Sequence, residues 1–333
     1  MKQHIYADNA ATTKLDKAAF EAMTPWLLEE YGNASQPYAF ARKPKKALAD
    51  ARATIAECIG ALPEEIYFTS GGTESNNWVI KSSAFSDPEK RATITSAFEH
   101  HAVLRSCAAI ERLGYSVAYM WPSDEGYITP ETLEKYITDN TRLVSVMLAN
   151  NEIGSIQPIR ELCEAAHAHG ALFHTDAVQA VGHIKIDVHK LGVDFLSASA
   201  HKFNGPKGIG FLYIRNGVEL PPYADGGAQE SAHRAGTENV AAIVSMATAL
   251  KANCDLLEQN QQHILSLERQ LISKLNGSGV AYKRNGGDSK LPGLLSLSFP
   301  GKDGEAILHR TDLMGISIST GSACDSENTE ISH

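Results

Sequence analysis

The sequence lacks the features of an exported or membrane-embedded protein. Its start, MKQHIYADNAATT, has no apolar core of the kind found in signal peptides. No apolar run approaches the roughly 20 residues that a membrane-spanning helix needs. The five cysteines are odd in number and scattered over 333 residues, which argues against a disulfide framework. These absences predict a cytoplasmic protein that does not act at a membrane.

Positive charge and the common metal and nucleotide motifs are also scarce. A net charge of −9 disfavours general binding to nucleic acid. No CxxC, HExxH or GxxxxGK(S/T) pattern occurs, so the standard zinc and P-loop motifs are missing. The charge still allows a small anionic ligand to be held at one local site.

The composition, 43% hydrophobic and 21% charged, is typical of a globular protein with a sizeable core. Between residues 66 and 215, apolar strand-like segments alternate with helix-like segments that end near glycines. Strands that are apolar throughout predict an α/β fold with a mostly parallel central sheet covered by helices. Residues 239–275 predict one or two long helices that lead to a smaller second unit.

Polar side chains follow five of the predicted strands, at the edge where parallel sheets bind ligands. The five are Thr73, His100, Asn151, Asp176 and Lys202. Each has a purely structural alternative, because Thr73 and Asp176 could cap helices and Lys202 could reach solvent. Five such residues in succession favour a shared site.

This set of residue types suits pyridoxal phosphate (PLP). A lysine amine such as that of Lys202 can form a Schiff base with the cofactor, and an acid such as Asp176 can hold the ring nitrogen protonated. Gly72 and Thr73, at a predicted helix start, suit a phosphate. A neutral His100 or an asparagine could stack on the ring or form a hydrogen bond to it.

A hydrolase triad of Asp176, Ser199 and His201 is the alternative for the same region. The sequence contains no G-x-S-x-G elbow, which disfavours it. Ser199 and His201 lie two residues apart on one predicted strand and share a face. That spacing suits two hydrogen bonds to one phosphate better than a proton relay.

Cys324 differs from the other cysteines. Four of them lie in apolar helical segments and are predicted to be small core residues: Cys58, Cys107, Cys163 and Cys254. Cys324 lies in STGSACDSENTEISH, which has little to bury. Its thiol is therefore a candidate nucleophile or sulfur carrier. The alternative is a surface thiol that has no function.

Eight segments in order resemble the cysteine desulfurases of the NifS/IscS type, within the PLP-dependent class-V aminotransferase family. The resemblance runs from about residue 5 to residue 333. The segments are YADNAATT, YFTSGGTESNN, EHHAV, ANNEIG, HTDAVQAVG, SAHKFNGPKGIG, HRAGTENV and STGSACDS.

The resemblance implies a role for individual positions. Lys202 would hold PLP, Asp176 would contact the pyridinium nitrogen, and Gln179 would contact the ring hydroxyl. His100 would stack on the ring and take part in catalysis. The remaining contacts would come from Gly72, Thr73, Asn151, Ser199 and His201, and from Thr237 of the other subunit of a homodimer.

The resemblance also implies the reaction. Lys202 would move the α-proton of L-cysteine, and the Cys324 thiolate would attack the substrate sulfur. L-alanine would leave, and Cys324 would pass its persulfide to an acceptor such as an iron–sulfur scaffold protein. No metal site is expected, apart from a transient iron–sulfur contact at Cys324. Another PLP lyase or aminotransferase of this fold, or an inactive PLP-binding partner in sulfur transfer, are the alternatives.

PLP-dependent fold type I is the architecture that the resemblance implies. We expect a large domain over residues 15–254 and a small domain built from residues 1–14 and 255–333. Family members continue for several dozen residues past the position of His333, so we expect an incomplete small domain and can assign no arginine to the substrate carboxylate. Ala34 and Gln36 stand where the family more often has proline and serine.

Overall fold

The computed structural model of the protein describes residues 4–321. Its strands are β1 (Ile5–Tyr6), β2 (Ile66–Thr69), β3 (Ala92–Ser96), β4 (Ser116–Met120), β5 (Thr141–Ser145), β6 (Leu172–Asp176), β7 (Phe195–Ser199), β8 (Gly210–Ile214), β9 (Lys283–Arg284), β10 (Leu297–Ser298) and β11 (Ile316–Ser317). Its α-helices are α1 (Lys17–Leu28), α2 (Arg42–Ile59), α3 (Gly72–Ser86), α4 (His101–Glu111), α5 (Pro130–Leu133), α6 (Ile159–Ala168), α7 (Val188–Leu191), α8 (Val240–Asp255), α9 (Leu257–Ser278) and α10 (Gly304–Leu313).

Strands β2 to β8 form one seven-stranded sheet with the order β2-β8-β7-β6-β5-β3-β4. Strand β8 runs antiparallel to both of its neighbours, and all the other pairs are parallel. The predicted α/β architecture with a mostly parallel sheet is therefore confirmed. Because β2, β3, β5, β6 and β7 point the same way, their carboxyl ends meet at one edge of the sheet.

Apolar side chains pack on both faces of this sheet. Along β8, Phe211 and Tyr213 enter one hydrophobic cluster, whereas Leu212 enters the other. The first cluster includes residues of α2, α6 and α8, and the second includes residues of α3 and α4. Burial on both faces explains why the strands are apolar throughout instead of alternating.

The predicted helical stretch over residues 239–275 consists of α8 and α9, which meet at a bend of 71°. Asn239 caps α8 by accepting a hydrogen bond from the backbone N–H of Ala242 at 3.1 Å. Within residues 4–321 no single helix is long and apolar enough to cross a membrane, and only the bent pair α8–α9 passes such a test by length and composition.

Two small sheets lie outside the main one. Strand β1 pairs in parallel with β11, which joins the start of the described chain to its end, and β9 pairs antiparallel with β10. The division into domains 15–254 and 1–14 plus 255–333 stays a prediction. Strand β4 was not expected from the sequence, because this edge strand is only partly buried and its apolar signal is correspondingly weak.

Candidate active site

Five of the residues predicted to form the site lie at the carboxyl edge of the main sheet. Asp176 is the last residue of β6, and Ser199 is the last residue of the neighbouring strand β7. Lys202 ends a short 3-10 turn that follows β7 directly. His100 follows β3 and caps α4, and Gly72 follows β2 and begins α3. The sheet topology thus brings these residues to one side of the molecule.

Lys202 is buried, with 6% of its surface exposed. Its Nζ donates hydrogen bonds to the carbonyl oxygens of Ala10 and, at 3.0 Å, Ala11. His183 Nε2 lies 2.8 Å from the Lys202 carbonyl oxygen, to which its N–H can donate a hydrogen bond. A buried lysine amine is rare unless it is paired, so these contacts hold a nucleophilic group away from bulk water.

A short segment near the start of the chain crosses the site. Gln179 Nε2 donates to the Ala10 carbonyl at 2.9 Å, and the Thr12 hydroxyl lies 3.1 Å from His201 Nδ1. The Thr13 hydroxyl donates to the His201 carbonyl at 2.9 Å. Residues 10–13 therefore enclose the turn that carries the lysine. Sequence reasoning assigned them no role, and the segment YADNAATT was the one signal that could have identified them.

Asp176 is buried and has a hydrogen bond at each oxygen. Its Oδ2 accepts from Asn76 Nδ2 at 2.6 Å, and its Oδ1 accepts from the backbone N–H of Val178 at 2.9 Å. Asn76 lies in α3 and is itself buried. Asn76 was not predicted as a site residue although it lies in the segment YFTSGGTESNN, because nothing local distinguishes it from the neighbouring Asn77.

The predicted phosphate cradle lies between β2 and α3. Gly71 has a φ of +146°, a conformation that favours glycine, and a Cβ there would lie 3.3 Å from the Ser199 hydroxyl. A Cβ on Gly72 would lie 2.5 Å from Cγ2 of Val178. The N–H groups of the first helical turn and a serine hydroxyl therefore converge where the backbone has no room for side chains.

Two predicted site histidines, His100 and His201, have contacts that fix a ring tautomer or a charge state. Nδ1 of His100 accepts a hydrogen bond from the backbone N–H of Ala102 at 3.1 Å, so a neutral ring carries its proton on Nε2. Burial, together with the positive charges of Lys202 and Lys207, lowers the pKa of His201 to about 4. His201 is therefore neutral at pH 7.

Glu99 is a fully buried acid beside this site. Its Oε1 accepts a hydrogen bond from the backbone N–H of Met147 at 2.8 Å. Burial, together with the nearby negative charge of Asp176, raises the pKa of Glu99 to about 8. The side chain is therefore mostly protonated at neutral pH. Glu99 is the first residue of the segment EHHAV, but the sequence analysis predicted no function for it.

The other predicted residues are more peripheral or lie beyond the described region. Asn151 is partly buried in the loop after β5, Thr73 is exposed in the first turn of α3, and Thr237 is exposed just before α8. Cys324 lies outside residues 4–321, so its predicted role has no structural counterpart. In the described part of the chain no three His, Cys, Asp or Glu side chains lie close enough together to hold a metal ion.

The chemistry of this donor set fits PLP. The cofactor needs an amine for its carbonyl carbon, a carboxylate for its ring nitrogen and an anion site for its phosphate. Lys202 carries an amine and Asp176 a carboxylate at neighbouring strand ends, and the turn at Gly71 and Gly72 begins a helix, where backbone N–H groups suit an anion. A mostly parallel sheet with this edge defines a PLP-dependent enzyme of fold type I.

The chain belongs to the aminotransferase class-V family, whose model matches residues 5–331. It is 47% identical to cysteine desulfurase IscS of Dictyoglomus turgidum, an alignment that covers 100% of this chain and 85% of that one. It is 45% identical to cysteine desulfurase IscS of Methanosarcina thermophila, over 99% of this chain and 82% of the relative.

Solved structures of the same family superpose closely on this chain. A NifS-like protein superposes with a TM-score of 0.93 at 37% identity, covering 97% of this chain and 89% of the other. The structure described as SspA in complex with cysteine superposes with a TM-score of 0.86 at 35% identity, covering 98% and 92%. The predicted resemblance to NifS/IscS-type cysteine desulfurases is thus confirmed.

Proposed function

We propose that this protein is a PLP-dependent cysteine desulfurase, which removes sulfur from L-cysteine and releases L-alanine. The observation that carries this proposal is the 47% identity to a cysteine desulfurase over the whole chain. The site supports it, because the buried side chains of Lys202 and Asp176 lie at neighbouring strand ends on one edge of the sheet. The similar structure of SspA, described as a complex with cysteine, supports the choice of substrate.

Lys202 and Asp176 would carry the central functions. PLP, when bound, supplies an electron sink that stabilises negative charge at the substrate α-carbon. Lys202 would bind the cofactor through Nζ and would then move the α-proton of the substrate. Its buried position limits access of water to that amine. Asp176 would bind the ring nitrogen and stabilise its positive charge.

His100 would stack on the cofactor ring. Because Nδ1 of His100 accepts a hydrogen bond from the backbone N–H of Ala102, Nε2 is the ring atom that can donate a proton near the substrate. The partial exposure of this side chain leaves it accessible to a small ligand. We therefore assign His100 to proton handling beside Lys202.

The remaining contacts would orient the cofactor. We assign the phosphate to the cradle at Gly72 and Thr73 together with Ser199 and His201. Nδ1 of His201 is engaged by Thr12, which leaves Nε2 for the phosphate. Gln179 would meet the ring hydroxyl, Asn151 would also contact the cofactor, and Thr237 would reach the phosphate of the other subunit in a homodimer.

Cys324 would receive the sulfur. Its thiolate would attack the sulfur of L-cysteine, so that an S–S bond forms while the substrate C–S bond breaks. The electron pair of that bond stays with the substrate carbon, which takes up a proton to give L-alanine. Cys324 then carries a persulfide, which we propose is delivered in the cytoplasm to an acceptor protein such as an iron–sulfur assembly scaffold.

Reduction of the purified protein with borohydride tests the cofactor assignment. Mass spectrometry should find a reduced PLP adduct on Lys202 alone. A colourless protein with no adduct would overturn the proposal.

Incubation with ³⁵S-labelled L-cysteine tests the sulfur step. Cys324→Ser should keep bound PLP but lose the labelled persulfide, and should lose the sulfide that added dithiothreitol releases from it. The matched variant Cys58→Ser should keep the persulfide and the sulfide release. If Cys324→Ser turns over like the unaltered protein, another group accepts the sulfur. Added candidate acceptors should remove the label from Cys324 only if they are true partners.

A further inference from the structure

Asn76 is a buried polar residue whose burial the fold alone does not explain. It has 1% of its surface exposed and lies one turn inside α3. Asparagine is unfavourable at such a position inside a helix. Its Nδ2 donates to Asp176, but its Oδ1 has no hydrogen-bond partner among the described residues. Burying an amide that is only half satisfied costs free energy. The hydrogen bond to Asp176 is the interaction that Asn76 gains from being buried at this position.

We propose that Asn76 is a positioning residue for the cofactor, which holds Asp176 as an oriented carboxylate facing the ring nitrogen of PLP. This inference rests on the proposed function, because it assumes that Asp176 binds that nitrogen. Asn76 itself need not touch the cofactor or the substrate.

The hydrogen bonds of Asp176 support this role. Asn76 and the backbone of Val178 each direct an N–H group at a different carboxylate oxygen, at 2.6 Å and 2.9 Å. An N–H donor needs a lone pair, so both bonds suit the ionised form and fix the plane of the carboxylate. Each oxygen retains a second lone pair, and one of these can accept the proton of a pyridinium nitrogen.

The surroundings of this pair strengthen the case. The buried acid Glu99 lies near Asp176, and burial together with the negative charge of Asp176 raises the pKa of Glu99 to about 8. At neutral pH it therefore places little negative charge beside Asp176. The carboxylate of Asp176 is then free to pair with a positive ring, and Asn76 supplies the side-chain contact that orients it.

The test compares two cofactors on the same apoprotein. PLP is compared with 1-deazapyridoxal phosphate, in which a C–H group replaces the ring nitrogen. Binding is measured for the unaltered protein, for Asn76→Ala and for Asn77→Ala. Asn77 is a matched control, because its Nδ2 donates to the Thr73 carbonyl within the same helix. Asn76→Leu is added because it fills the volume that alanine leaves empty.

Asn76→Ala and Asn76→Leu should each lose about tenfold in PLP affinity, as expected when a hydrogen bond to a charged group is removed. The affinity for the deaza analogue should stay within about twofold, since the analogue does not use Asp176. Asn77→Ala should leave both affinities unchanged.

An equal loss for both cofactors would give Asn76 a structural role only and overturn the proposal. The proposal would also be overturned if both Asn76 variants failed to fold, or if the unaltered protein bound the two cofactors equally well. Failure of the unaltered protein to bind PLP at all would instead overturn the proposed function.

Discussion

Arg52 and Glu230 form a two-point ion pair that anchors a strained turn. Nη1 and Nη2 of Arg52 lie 2.9 Å and 2.7 Å from the two carboxylate oxygens, and the backbone N–H of Phe68 donates to the same carboxylate at 2.9 Å. Glu230, Ser231 and Ala232 have φ values of 46°, 56° and 65°. Such residues cost about 1–3 kcal/mol each, so the turn persists because these contacts hold it.

Glu230→Gln should destabilise the protein by about 3 kcal/mol, because the partly buried guanidinium of Arg52 would lose its counter-charge. Urea denaturation measures this free energy of unfolding. The matched control is Glu164→Gln, which breaks the exposed pair with Arg160 and should cost less than about 0.5 kcal/mol. Equal losses in the two variants would show that the ion pair does not hold the turn.

Gly210→Ala should destabilise the sheet next to the cradle. The added Cβ would lie 2.3 Å from the Ala198 carbonyl oxygen and 2.7 Å from Cα of Gly71. These are backbone atoms that cannot move aside cheaply, so we expect a loss of about 1–3 kcal/mol and less bound PLP.

Thermal unfolding and the PLP content after dialysis measure the two effects. Gly277→Ala is the control, because a Cβ there meets nothing within 4 Å and alanine favours the helix. A Gly210→Ala protein as stable and as loaded as this control would contradict the steric argument.

His174 should make the protein sensitive to acid. Its ring is fully buried between the hydroxyls of Ser145, at 2.8 Å, and Ser197, at 2.9 Å, and burial lowers its pKa from 6.5 to about 3. Between these values the unfolded chain takes up a proton that the folded chain excludes. The contribution of His174 to the free energy of unfolding is fully present above pH 6.5. Below that pH it falls by up to about 1.4 kcal/mol per pH unit.

The measurement is the free energy of unfolding of His174→Asn and of the unaltered protein between pH 7 and pH 4. The variant should show the shallower decline. The exposed His263, replaced in the same way, provides the control. Parallel pH profiles for His174→Asn and the unaltered protein would rule out this contribution.

Glu99 should have the opposite pH dependence. Burial raises its pKa from 4.5 to about 8, so the folded protein holds a proton that the unfolded chain loses. The contribution of this proton to the free energy of unfolding is fully present below pH 4.5 and is lost as the pH rises through 8. Glu99→Gln keeps the shape without the charge, and should gain stability relative to the unaltered protein as pH rises from 5 to 8.5. A stability difference that stays constant over this range would contradict the assignment.

Much of the candidate site was predictable because strand ends have local signals. Apolar runs followed by glycine or a polar residue identified the positions of Asp176, Ser199 and Lys202, and the parallel sheet predicted that they share an edge. The same reasoning missed Asn76 and residues 10–13. Asn76 is 100 residues from Asp176, and Ala10 is 192 residues from Lys202, so no local pattern links them.

The sequence by itself determined the layered architecture. Strands with apolar side chains on both faces can bury them only between two layers of helices. Its ordered motifs also determined the family. Only the tertiary structure decided that β8 inserts antiparallel between β2 and β7, and that the segment at residues 10–13 crosses Lys202. Strand order and such crossings depend on which distant surfaces pack with the lowest free energy, and that competition involves the whole chain at once.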